Sequence, residues 1–127
     1  MTQPLPAGEL PGIQHAYAAL KHLEEALEEQ GPALGELMAR TLRELAQLRD
    51  RLIAQRRSGV GGEWNARRLD RVNSILSLAT SATYPIVGVR RQRIEATRNH
   101  LRSFLEEQER PLAGMAEADG NRTHHPR

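Results

Sequence analysis

Histidine has the widest chemical repertoire in this 127-residue chain, because imidazole can carry a proton or bind a transition metal near neutral pH. Two of the five histidines, His15 and His22, are seven residues apart, which places them two turns apart on one helix face. Two helical ligands of one metal ion are usually four residues apart, or a histidine pairs with a glutamate at three. The spacing therefore predicts half-exposed polar residues beside a core stripe, and no metal site.

Serines and a glycine-rich segment are the other features that an enzyme could use. Ser74, Ser77 and Ser81 lack the G-x-S-x-G setting of a hydrolase nucleophile. The segment 58–62 (SGVGG) resembles a phosphate-binding loop, but no Lys-Ser/Thr pair follows it and no strand-like segment precedes it. We therefore predict that the protein is not an enzyme, that it has no catalytic residues and that it uses no cofactor.

Arginine is the most abundant charged residue: every basic residue except Lys21 is an arginine, as a GC-rich bacterial genome would produce. Residues 1–40 carry two basic and six acidic side chains, residues 41–104 carry thirteen and five, and residues 105–127 carry three and five. A basic centre between acidic ends can be neutralised by those ends or by a second subunit, or it can attract a polyanion. The polyanion hypothesis is a nucleic-acid-associated protein, with phosphates held by Arg67, Arg68, Arg71, Arg90, Arg91 and Arg93.

The spacing of apolar residues predicts helices across most of the chain. They recur every three or four positions over 13–30, over 32–57, from 63 to about 83, and from 85–89 to about 109. The breaks contain Gly31-Pro32, the glycine-rich segment and Tyr84-Pro85. The second helix follows a heptad pattern for about three repeats, as in a bundle or coiled coil. One long helix kinked at Pro85 is the alternative for the last two segments.

These helices predict an all-α fold, an antiparallel bundle of three to four helices over residues 13–110. The proline-containing segment 1–12 is expected to be a flexible N-terminal arm, and residues 111–127 a disordered C-terminal tail. The first residues show no basic and apolar leader, so a cytoplasmic location is expected. The sequence has no cysteine, which excludes disulfides and thiolate metal sites.

One segment is unusual for a surface helix, because the 18 consecutive residues 72–89 carry no charge. A membrane-inserted helix is the remote hypothesis, since the segment barely reaches the length of about 20 residues that a span needs. Enclosure by the chain's own helices is a second hypothesis, although complete enclosure is difficult in so small a domain. An interface with another polypeptide is the favoured hypothesis, because loss of charge marks the core of an interface.

Small hydroxyl side chains on this segment would let a second helix approach closely without leaving a charge unpaired. The expected partner-interface residues are Val72, Ile75, Ser77, Leu78, Ser81, Ala82, Tyr84, Ile86 and Val87. The sequence thus predicts a non-enzymatic interaction protein, such as a small adaptor, accessory subunit or assembly component. It would act through helix–helix contacts with a protein partner or with itself, as a homo-oligomer.

Overall fold

The computed structural model describes residues 9–29, 31–59, 62–84 and 88–109. Four helices account for most of them: α1 (Ile13–Glu28), α2 (Ala33–Arg57), α3 (Gly62–Ser81) and α4 (Arg90–Glu109). The all-α prediction is confirmed, with four helices. Residues 1–8 of the expected arm and all of the expected tail lie outside the described residues. Leu10, from the last part of the expected arm, is 2% exposed and packs in the core.

The helices form a closed ring in which α1 contacts α2, α2 contacts α3, α3 contacts α4 and α4 returns to α1. Adjacent helices are antiparallel. Arg68, in the first half of α3, donates to Gln108, near the end of α4. Tyr17, near the start of α1, donates to Glu109 at the end of α4. The molecule is therefore an up-down-up-down four-helix bundle.

The alternative of one long helix kinked at Pro85 is wrong, because α4 runs back along α3. The chain leaves α3 after Ser81 and re-enters a helix at Arg90. Gly88 lies between them with a φ of 83°, a left-handed conformation that residues with a side chain rarely adopt. A kink would have kept the two segments roughly collinear, which would leave α1 without a second neighbour.

The core is built from the apolar stripes that the spacing predicts. The heptad seam of α2 is buried at its centre, with Leu45, Leu48 and Leu52 at 0% exposure. Phe104 on α4 is the largest fully buried side chain. Thr41 and Thr97 also lie in the core, and each hydroxyl donates to a carbonyl one turn earlier in its own helix. This places both polar groups inside without an unpaired donor.

Candidate functional site

The outer face of α3 is the candidate site, because it is the surface where the charge-free segment meets solvent. Residues 72–84 have no charged side chain, and Ser74, Ser77 and Thr80 are exposed along them. Tyr84, just beyond the end of α3, is 58% exposed. Hereafter the outer α3 face means Ser74, Ser77, Leu78, Ser81 and Tyr84. It is a neutral surface on an otherwise charged bundle.

The structure divides the nine expected interface residues into three sets. Val72, Ile75 and Ala82 are at most 2% exposed and belong to the chain's own core, which corrects their assignment to a partner surface. They share the inner side of α3, because a helix that is apolar on both sides buries only one of them in a four-helix ring. The remaining described residues lie outside that core: Ser77, Leu78, Ser81 and Tyr84. Ile86 and Val87 lie outside the described residues.

Hydroxyl groups near the end of α3 are largely satisfied within the helix. Thr80 Oγ1 donates to the Leu76 carbonyl at 2.8 Å, and Ser81 Oγ donates to the Leu78 carbonyl at 2.7 Å. Thr83 makes the same type of bond to Thr80. A hydroxyl that is already bonded to its own backbone loses little when water is removed from it. This end of α3 can therefore be covered at low cost.

A groove of about 450 Å³ runs beside the outer α3 face, between α3 and α4. Arg71 lies at one end of it and His100 contributes from α4. The walls are otherwise formed by Ser74, Ile75, Ser77, Leu78 and Ser81. The groove is thus lined mainly by small hydroxyl and aliphatic groups, which suits a side chain from another helix better than a charged ligand.

The arginines at the start of α4 bind the ends of neighbouring helices. Arg93 Nη1 donates to the Ser81 carbonyl at 3.0 Å, and Arg90 Nε donates to the Ala82 carbonyl at 3.1 Å. Arg91 Nη1 donates to the Leu27 carbonyl near the end of α1. The last carbonyls of a helix have no partner within the helix, and they carry its negative dipole end. These three guanidinium groups therefore cap α1 and the end of α3.

The arginines in the first half of α3 are also engaged inside the molecule. Arg68 is 4% exposed and donates to the side-chain oxygens of Gln108 at 2.7 Å and Asn65 at 3.0 Å. Its burial lowers the pKa of the guanidinium from the ordinary value, by desolvation. Arg71 pairs with Glu107 at 2.6 Å and lies over the Phe104 ring at 5.6 Å. Arg67, on the surface, is 3.5 Å from Glu63.

All six arginines of the polyanion hypothesis thus have an intramolecular partner among the described residues. The burial of Arg68 is not among the predictions from the sequence, although its spacing from Asn65, Leu69 and Val72 puts it on the core side of α3. The capping by Arg90, Arg91 and Arg93 has no such local signal. It depends on where the end of one helix meets the start of another, which spacing within a helix does not encode.

Ion pairs between distant parts of the chain support partial neutralisation of the basic centre by the acidic ends. Arg102 pairs with Glu24 at 3.0 Å, which joins the basic middle to the acidic first helix. Within α4, Glu95 has no ion pair in the described chain, and Arg98 bonds to the Asn99 side chain at 2.8 Å. Arg102 can reach Glu24 because α1 lies against α4.

Of the two histidines of α1, only His15 is hydrogen-bonded to a carboxylate, and the buried Nδ1 of His22 has no hydrogen-bond partner in the described part of the chain. His15 Nδ1 is 2.7 Å from Glu44 on α2, and His22 Nδ1 is 3.7 Å from Glu25 on its own helix. Within the described ranges, no three histidine or acidic side chains are grouped as metal ligands would be. The two imidazoles lie at the boundary of the core, as their spacing predicts, with 18% exposed side chains.

Across the four helices described, none has the length and apolarity that would carry it through a bilayer. No protein-family model matches the chain. The comparisons with curated proteins and with solved structures also find no match. The surface geometry of the bundle is therefore the basis on which a function can be proposed.

Proposed function

We propose that this protein is a non-enzymatic helix–helix interaction protein that self-associates through the outer α3 face. The single observation that carries the proposal is that a solvent-facing helix surface has no charge from Val72 to Tyr84. Symmetric dimers are the commonest homo-oligomers, and they bury the same patch from each copy. In this arrangement α3 of one copy packs antiparallel on α3 of the other.

The contrast with the neighbouring helices supports the choice of surface. The outer sides of α2 and α4 carry exposed charges at Glu36, Arg43, Arg91 and Glu106, whereas the second half of α3 has none. Charged residues are depleted from the buried centre of interfaces, because each must be desolvated and paired there. The outer α3 face is the part of the described surface that meets this condition over the longest run.

The chemistry of the face supports close packing of two helices. Serine side chains are small enough to let two backbones approach, and those at Ser74 and Ser77 are exposed. The hydroxyls of Thr80 and Ser81 are bonded to carbonyls of their own helix, so covering them leaves no unpaired donor. Leu78 and the α3–α4 groove supply the apolar contact that drives association in water.

The two-fold symmetry of such a dimer determines which residues of the two α3 helices face each other. Ser77 and Leu78 lie midway between Arg71 and Tyr84 in sequence, so an axis near them places Tyr84 of one copy opposite Arg71 of the other. A tyrosine ring and a guanidinium attract each other when the cation lies over the ring. In this arrangement the exposed ring of Tyr84 enters the α3–α4 groove of the other copy, at the end where Arg71 lies.

The test is the molar mass of the full chain by light scattering after gel filtration, over a range of protein concentrations. We expect the wild-type mass to rise with concentration toward twice the 14.2 kDa of one chain. Ser77→Arg places an uncompensated charge at the centre of the face and should keep the protein monomeric. Gln47→Arg is the matched control, since Gln47 is exposed on α2, and it should leave the concentration dependence unchanged.

Helix content by circular dichroism should be the same in all three proteins, because both substituted positions face solvent. A wild-type chain that stays monomeric at the highest concentration contradicts self-association. Equal loss of assembly in both variants would place the contact elsewhere. In either case, assignment of the outer α3 face to self-association fails.

A further inference from the structure

Four arginines of α2 have no partner among the described residues. The other two arginines of the helix have nearby carboxylates: Arg40 pairs with Glu36 at 3.1 Å, and Arg49 with Asp50 at 3.3 Å. The remaining four arginines are exposed and form no hydrogen bond or ion pair with any described residue: Arg43, Arg51, Arg56 and Arg57. This set is called the α2 arginines below.

The acidic residues of α2 are fewer than its arginines, and each of them is paired with a residue outside this set. Glu36 and Asp50 hold the two paired arginines, and Glu44 accepts from His15 of α1 at 2.7 Å. The helix has six arginines and three carboxylates. Arg56 and Arg57 also lie in its last turn, where a positive charge interacts favourably with the negative end of the helix dipole. That interaction leaves their donors open to a ligand.

The α2 arginines extend along the helix axis. Arg43 and Arg57 lie fourteen residues apart, which corresponds to about 21 Å. At about 100° per residue, Arg43, Arg51 and Arg57 share roughly one third of the helix circumference. Arg43 and Arg57 are turned away from the buried Leu48, whereas Arg51 lies at the edge of this sector next to Gly12. Arg56 lies at the end turned toward α3, where it lines a groove with Leu69. A length of about 21 Å covers the rise of roughly six base pairs of duplex DNA.

We propose that the α2 arginines bind the phosphate backbone of double-stranded nucleic acid, without reading its sequence. Guanidinium groups bind phosphate oxygens in a bidentate way, and a row of them matches a regular array of phosphates. The residues differ from the six that the sequence suggested for this role. The proposal is independent of self-association, because α2 and the outer α3 face are different surfaces.

The surroundings of the α2 arginines favour a duplex over other polyanions. The helix has no aromatic residue, so it offers no platform on which unpaired bases could stack, as single-strand binding requires. None of the exposed large hydrophobic side chains of the described chain lies on α2. Insertion into a lipid surface needs such side chains beside the cations. Phosphate contact alone remains, which is the sequence-independent mode.

The experiment is fluorescence anisotropy of the full chain with a labelled 20-base-pair duplex of arbitrary sequence, titrated at several salt concentrations. Arg43, Arg51 and Arg57, which share one side of α2, predict three phosphate contacts and a slope of about −2.7 for the logarithm of affinity against the logarithm of salt concentration. The affinity should therefore fall about 40-fold between 50 and 200 mM salt. The double variant Arg43→Gln with Arg57→Gln should have a slope of about −0.9, and a fall of about 3.5-fold.

The double variant Arg98→Gln with Arg102→Gln is the matched control. It removes the same two charges from α4, on the opposite side of the ring, where Arg102 is paired with Glu24 and Arg98 is bonded to the Asn99 side chain. Its slope should equal that of the wild type. The proposal is overturned by no binding at 50 mM salt, by an unchanged slope in the double variant, or by an equal change in the control. Tighter binding of a single strand of the same length, or displacement of the duplex by polyglutamate at equal charge, overturns the duplex assignment.

Discussion

The arginines at the start of α4 should stabilise the bundle by capping other helices, and this role can be separated from their charge. Arg93 donates to the Ser81 carbonyl at the end of α3, and Arg91 donates to the Leu27 carbonyl near the end of α1. We predict that Arg91→Gln and Arg93→Gln each lower the free energy of unfolding. Glutamine keeps good helix propensity, so the loss reports the cap and not the helix itself.

The magnitude combines two contributions. A hydrogen bond from a charged donor contributes about 1.5–3 kcal/mol when it is buried, and a cation at a helix C-terminus about 0.3–1 kcal/mol. Both guanidinium groups are only partly buried, so water replaces part of the lost bond, and about 1 kcal/mol is expected for each variant. The two caps act on different helices, so the double variant should lose about 2 kcal/mol. In a domain of this size that corresponds to a melting temperature lowered by roughly 8 °C.

The assay is urea unfolding followed by circular dichroism, at one fixed protein concentration. Arg98→Gln is the control, because Arg98 is on the same helix and its bond in the described chain is to the Asn99 side chain. It should change the free energy of unfolding by less than about 0.5 kcal/mol. If Arg98→Gln destabilises the protein as much as Arg93→Gln, then net charge or helix propensity, and not capping, is responsible. That result would refute the structural role given to these arginines.

Two further predictions concern single side chains. Arg68→Met should lower the free energy of unfolding by about 2–4 kcal/mol, because it leaves two amide oxygens without their buried donor. Measured by urea unfolding, Arg67→Met at the exposed neighbouring position should lower it by less than about 0.5 kcal/mol. Equal losses in the two variants would contradict the buried role of Arg68. The pKa of Tyr17 is raised mainly by its hydrogen bond with Glu109, so the stabilisation from this bond is complete below the unfolded-state pKa of about 10 and is lost as the pH rises through the higher folded-state pKa. Glu109→Gln should therefore lower the pKa of Tyr17 in a tyrosinate absorbance titration, and an unchanged titration curve would show that the bond is absent in solution.

The fold is largely predictable because local spacing carries most of its information. The heptad of α2 predicts the residues that are buried, Leu45 and Leu48 among them, since a residue's side of a helix depends on its position alone. Gly31-Pro32 and the glycine-rich segment predict two of the three turns. The third turn is ambiguous in the sequence, because a proline can either bend a helix or end it.

The candidate site is less predictable, since it depends on which side of α3 the ring of helices covers. Two apolar stripes on α3 make both sides possible, and burial of Val72, Ile75 and Ala82 selects one of them. The roles of the arginines depend on contacts between helices. Arg91 and Leu27 are 64 residues apart, and no pattern within a helix encodes such a pair.

If two copies meet at the outer α3 face, a single thiol introduced on that face should link them. The chain has no cysteine, so Ser77→Cys carries the only thiol and places it at the proposed symmetry axis. Mild oxidation at micromolar protein should convert Ser77→Cys to a covalent dimer, while Gln47→Cys, equally exposed on α2, should stay monomeric. A monomeric Ser77→Cys protein, or equal cross-linking at both positions, would contradict self-association through the outer α3 face.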